Sequence, residues 1–146
     1  MAPEPERLKP YAAVYLMLFD DGEVLLLKRK NTGHRDGAYS LVAGHIDVAE
    51  TASEAMVREA NEEVGIDVMP RDLDAAHLIH RRSGDRVYLD LFYQTADWHG
   101  DVRNREPEKC AELSWMARDD LPENTVPYVE QAIGNVPGDF YSEFGW

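Results

Sequence analysis

Residues 44–66 read GHIDVAETASEAMVREANEEVGI. Five glutamates (50, 54, 59, 62 and 63) crowd into this stretch with one arginine, Arg58, between glycines at 44 and 65. A carboxylate cluster this dense repels itself unless a cation sits in it. Hard oxygen ligands on one face suit Mg²⁺ or Mn²⁺, and such ions point to phosphate chemistry. At a turn of ~100° per residue, 51–64 becomes an amphipathic helix. Met56, Val57, Ala60 and Val64 form its buried stripe, and Glu59, Glu62 and Glu63 fall on the adjacent arc at i+3 and i+4 spacing. Three carboxylates would therefore share one volume beside the core. A solvated acidic face is the bland alternative, since like charges at i+4 cost only a few tenths of a kcal/mol. The carboxylates' place beside the apolar stripe and the glycine-led loop argue against it. Thr51 or Ser53 would cap the helix, and Gly65 stands where a C-terminal glycine belongs.

Strand signals surround this helix. Before it, 11–19 is aliphatic and aromatic, Asp20-Asp21-Gly22 signals a turn, and 23–29 runs EVLLLKR, which together predict a hairpin. A short strand is expected over 38–43. After it come 73–81 and 86–96, joined by Ser83-Gly84-Asp85, and a last strand over 111–116. Residues 127–136 predict a second helix. The order predicts an α+β domain, a mixed sheet with helices on either side. Residues 1–9 are expected to be a flexible arm and 10–146 the domain. The aromatic tail DFYSEFGW would pack back on the domain or serve a homodimer.

Composition narrows the function. A net charge of -13 over 146 residues disfavours a long nucleic-acid partner, which needs a basic stripe. It leaves room for a nucleotide, which needs a metal and a few local cations. The single cysteine, Cys110, rules out an internal disulfide and fits a reducing compartment; no partner pattern marks it as a nucleophile. No apolar run approaches the ~20 residues of a membrane span, and the first residues lack the apolar core of a secretory leader. The expectation is a cytoplasmic protein without a membrane partner.

The stretch at 44–66 resembles the Nudix box, G-x5-E-x7-R-E-U-x-E-E-x-G-U, with U a bulky aliphatic. Gly44, Glu50, Arg58, Glu59, Glu62, Glu63, Gly65 and Ile66 all fall at the required spacing. Ala60 is the one departure, at a packing position. The resemblance, to the MutT-like branch, implies an α/β/α sandwich and Mg²⁺-dependent hydrolysis of a nucleoside diphosphate linked to a group X. It implies Gly44, Glu59, Glu62 and Glu63 as metal ligands and Glu59 or Glu63 as general base. Arg58 would orient a glutamate, and Glu50 would support the loop.

The resemblance extends less specifically beyond the box. Arg29 would touch phosphate, and His45, where many MutT-like members carry a second glycine, would line the site. Glu106 is the expected extra metal ligand, with Glu112 as runner-up. Asn124, within LSWMARDDLPENTVP, would contact a base, although the family's asparagine falls one position away. The expected substrate is a nucleoside triphosphate or oxidised dNTP, cleaved to the monophosphate and pyrophosphate. The alternatives are a nucleotide sugar, ADP-ribose or another diphosphate conjugate, and a non-catalytic nucleotide sensor.

Overall fold

A computed structural model describes residues 1–146. Residues 1–10 carry no regular structure and are almost wholly exposed. The chain then forms β1 (Tyr11–Asp20), β2 (Glu23–Arg29), β3 (Tyr39–Ser40), β4 (Val42–His45) and α1 (Ala52–Val64). After a single 3-10 turn come β5 (Asp74–Ser83), β6 (Arg86–Thr95), β7 (Cys110–Ala117), α2 (Pro127–Gly134) and β8 (Tyr141–Phe144).

β1 organises the sheet. It pairs in parallel with β6, from Tyr11 opposite Tyr88 to Leu18 opposite Thr95, and antiparallel with β4 on its other edge. Its apolar run is buried on both faces, as in a strand covered on each side. Val14, Leu16 and Leu18 join Leu25 and Leu27 of β2 against Ala55, Met56, Ala60 and Val64 of α1. Ala13, Tyr15 and Met17 face the other way, onto Tyr128, Val129, Ala132 and Ile133 of α2. Alternation at period two thus feeds two cores, and the mixed sheet lies between two helices as expected.

Four local expectations are revised. The β1–β2 hairpin pairs only at its tip, Phe19 with Val24 and Asp20 with Glu23; β2 then diverges to pair with β3 and β7. The strand expected over 38–43 is two strands, interrupted at Leu41, and they pair with different partners: β3 with β2, β4 with β1. The aromatic tail does pack back, but as a strand: β8 adds in parallel to the outer edge of β5. On α1, Val57 is only half-buried and Ala55 takes its place in the core, because the helix leans toward β1 and β4.

Candidate active site

The site forms where β4 ends and α1 begins its return across the sheet. Thr51 caps α1 in a reciprocal capping box with Glu54. Thr51 rather than Ser53 is thus the cap, and packing of Ala55, Met56, Ala60 and Val64 against β1 and β2 sets which face of the helix turns in. Glu63 then turns inward, and its Oε2 accepts the Ala43 N–H at 3.1 Å. Glu59 comes to rest against Gly44, where a methyl group in place of the glycine hydrogen would run into its carboxylate.

Arg58 ties the loop to the helix. Its Nε and Nη2 donate to Glu50 at 3.1 and 2.7 Å, Nη2 also to the His45 carbonyl at 3.2 Å, and Nη1 to Glu59 at 2.8 Å. Glu50 also accepts the Asp47 N–H at 2.9 Å. Glu50 and Arg58 therefore hold the 46–51 loop and the Glu59 carboxylate in one charge-assisted network, shortest at Arg58 Nη2–Glu50 and Nη1–Glu59.

A second loop closes the site from the far end of α1. Gly65 adopts a left-handed φ of 71°, and the chain that returns at 103–106 docks on the helix C-terminus. Arg103 N–H donates to the Val64 carbonyl and Arg105 N–H to the Glu63 carbonyl, at 3.0 and 3.1 Å. The Arg105 guanidinium reaches the Asn61 carbonyl at 3.2 Å. These donors satisfy carbonyls that a helix end leaves unpaired, and cations there complement the helix dipole. Asn104 accepts the Glu106 N–H and donates to the Cys110 carbonyl, which fixes the turn carrying Glu106.

Together these elements enclose a cavity of about 370 Å³ lined by Gly44, Glu59, Glu63, Glu106 and Arg29. Burial, and then the charge of Glu59, push the Glu63 carboxyl well above the usual carboxylate range. Burial also raises Glu59, against the pull of Arg58. The all-oxygen donor set and its mutual repulsion suit a hard divalent cation. No three of the side chains converge closely enough to form a ready-made coordination sphere, since Arg58 holds Glu59 and Lys109 lies 4.0 Å from Glu106.

The other expected residues scatter. Glu62 is at the rim: its side chain is 53% exposed, against 14% for Glu59, and it does not line the cavity. Glu112 is held by the Tyr39 hydroxyl and Ser114 on β7, outside the cavity. Asn124 lies in a separate shallow depression with residues 35–38, where its amide donates to the Gly37 carbonyl at 2.9 Å. Its backbone carbonyl accepts Tyr39 N–H at the start of β3. Asn124 thus clamps two loops together. Arg29 donates to the His34 carbonyl at 2.7 Å and to Thr32 Oγ1 at 3.1 Å, so part of its guanidinium holds the 31–37 loop.

His45 lines a second chamber of about 490 Å³, which shares Arg29, Ser40, Ala43 and Gly44 with the first. Its lining also includes Arg81, Tyr88 and Tyr128, with the exposed Arg86 beside them. Sequence reading missed these residues, because they sit on β5, β6 and α2 with no fixed spacing to the glutamates. The one available signal was Arg81 and Asp90 at inward positions of adjacent strands.

A family model described as a NUDIX domain matches residues 8–133. Among curated proteins, the NAD-capped RNA hydrolase NudC of Shigella flexneri is 29% identical over 129 residues, which cover 80% of this chain and 44% of that protein. NudC of Escherichia coli K12 is similar at 28% over the same length. The chain therefore spans less than half the length of these curated relatives. Among solved structures, a MutT NUDIX hydrolase from Burkholderia pseudomallei aligns with a TM-score of 0.81 and 26% identity, over 88% of this chain and 99% of that one. A MutT protein from Methanosarcina mazei Go1 aligns at 0.76 and 23%, over 89% and 95%, a likeness of fold.

Proposed function

The chain belongs to the Nudix family, and from that premise we propose that it hydrolyses a diphosphate bond in a nucleoside diphosphate linked to a group X, with Mg²⁺ as the working metal. The observation that carries this reading is the single cavity lined by Gly44, Glu59, Glu63 and Glu106. Glu59, Glu63 and Glu106 are the side chains that would hold the ion, with the Gly44 carbonyl beside them. When bound, the ion would neutralise the diphosphate and polarise its phosphoryl oxygens.

The chain's own residues supply the rest. Glu63 is buried, lines the cavity and accepts the Ala43 N–H, a fixed position from which a carboxylate could act as the general base toward water. Glu59 is the second candidate for that role. Arg58 aims Glu59 through its 2.8 Å bond, and Glu50 holds Arg58. Arg29, which opens on both cavities, is placed to meet the phosphate between them.

Of the two substrate branches, a nucleoside triphosphate or a diphosphate conjugate, two observations favour the conjugate. The Asn124 amide is bonded to a loop carbonyl away from the carboxylates, which removes the expected base contact. The chamber behind His45 offers space for a bulky X next to the cleavage site. We take the substrate to be a small molecule, because the net charge of -13 opposes a long nucleic acid, and the compartment to be the cytoplasm. No helix is long and apolar enough to cross a membrane.

The test is a panel of nucleoside triphosphates and diphosphate conjugates with Mg²⁺, resolved by product chromatography. Glu59→Gln and Glu63→Gln should each fold and lose turnover by about 10²- to 10⁴-fold. Wild-type rates in both would sink the mechanism.

A further inference from the structure

The chamber behind His45 carries charge of one sign. Three arginines, Arg29, Arg81 and Arg86, line it beside His34 and His45, and no carboxylate does. This is the reverse of the chain as a whole, in which 28 acidic residues outnumber 15 basic ones. Neither Arg29 nor Arg86 has a carboxylate within ion-pairing distance; of the three arginines only Arg81 does. Burial and the neighbouring guanidinium groups of Arg29, Arg35 and Arg81 hold the His34 pKa below its usual value, as a crowded positive field would.

Arg81 is the centre of this arrangement. It is only 4% exposed, yet it faces the chamber. Its Nε and Nη2 donate to Asp90 at 2.5 and 3.3 Å, and Asp90 is fully buried and also accepts the Tyr15 hydroxyl at 3.2 Å. The guanidinium carbon sits 4.0 Å from the Tyr88 ring centre and 3.9 Å from that of Tyr128. Two rings and one carboxylate thus fix the guanidinium plane, while Nη1 has no hydrogen-bond partner within the protein. Nη1 is thus an immobilised donor that opens on the chamber and is free to meet an acceptor there.

We propose that the chamber recognises a second anionic group on the substrate, a phosphate or carboxylate separate from the scissile diphosphate, through Arg81 Nη1 and Arg86. Tyr88 and Tyr128 hold the guanidinium in place and form the walls against which the uncharged part of the ligand packs. The shared lining of Arg29, Ser40, Ala43 and Gly44 makes one continuous path from the carboxylates to these donors, so a single molecule reaches both. This inference rests on the diphosphohydrolase reading and narrows its substrate class to conjugates with an additional negative charge.

The test compares matched substrates that differ by one anion: UDP-glucuronate against UDP-glucose, and NADPH against NADH, each with Mg²⁺. In at least one pair the charged member should be preferred by about tenfold or more in kcat/KM, chiefly through KM, as for a charge-assisted contact formed on binding. Arg81→Gln would leave Asp90 buried without its partner and may not fold, so the exposed Arg86→Gln is the variant to measure. It should bring the ratio toward one. Equal kcat/KM within both pairs, or a preference that survives in Arg86→Gln, overturns the anion site while leaving the hydrolase intact. Cleavage of nucleoside triphosphates but of none of these four also overturns the anion site, whereas no cleavage of any nucleotide in the wider panel fails the diphosphohydrolase reading itself.

Discussion

At the scale of single residues, Gly44 and Glu63 set the site. Gly44 has an ordinary backbone conformation, so its need for glycine comes from contact: a Cβ would strike the Glu59 carboxyl end and come within 2.7 Å of its Cγ. That end is flexible, and Gly44→Ala should fold with a nearly unchanged Tm while turning Glu59 aside. Displacement of about 1 Å at a reacting centre costs on the order of 10²-fold, and kcat should fall by that much; an active Gly44→Ala would mean that Glu59 is not where it works. Glu63 gives a prediction in pH. Its carboxyl sits well above the ordinary value of 4.5 through burial and the charge of Glu59. Without metal the folded chain therefore binds more protons than the unfolded one above that value, so stability falls as pH rises through the window up to the raised pKa. In EDTA, the Tm of wild type should decline relative to Glu63→Gln as pH rises from about 4.5, and Mg²⁺ should restore it most at the upper end, because the ion takes the place of the proton. Parallel curves for the two chains would refute the raised pKa.

At the scale of elements, α1 was legible almost in full, because its caps, its stripe and its carboxylates are all local in sequence. The 38–43 strand was not, since its division at Leu41 depends on which neighbour each half meets: β2 for Tyr39 and Ser40, β1 for Val42 to His45. The surroundings of Asn124 were not legible for a related reason. A polar residue near α2 looks free to meet a base until the Gly37 carbonyl is found 2.9 Å from its amide. Nor could spacing show that the 103–106 loop docks on the end of α1, which makes Gly65 serve two elements. Its φ of 71° penalises any side chain by about 1–2 kcal/mol, and a Cβ would also press on Arg103 Nε at 2.8 Å and Arg105 Cδ at 3.0 Å. Gly65→Ala should therefore lower the urea midpoint by a corresponding amount. It should also raise the Mg²⁺ concentration needed for half-maximal activity, because the shifted loop carries Glu106. A stability loss with an unchanged Mg²⁺ requirement would separate Glu106 from the metal.

At the scale of the molecule, the tail and the chamber are mechanically joined. β8 runs beside β5 with Phe144 opposite Arg81, and Phe144 packs edge-on against Tyr128 at 5.9 Å. Behind them, the fully buried His77 uses both ring nitrogens on this segment, Nδ1 with the Asp139 carbonyl at 2.7 Å and Nε2 with Ser142 Oγ at 2.8 Å. Gln131 of α2 donates to the same hydroxyl at 2.8 Å, and Trp146 caps the edge by donating to the His80 carbonyl. Removal of residues 140–146 would leave His77 Nε2 and the Gln131 amide without their Ser142 partner, at about 1–3 kcal/mol for each buried polar group left unpaired, and would bare the edge of β5. The Glu59 and Glu63 carboxylates lie on the other helix and keep all their contacts. The truncated chain should therefore melt at a lower temperature and, below that melt, show a raised KM with kcat held closer to wild type, because Tyr128 and Arg81 lose their outer support while the carboxylate cavity does not. A kcat loss as large as the KM change would mean that the tail reaches the carboxylates through the sheet, and that the two cavities are one cooperative unit.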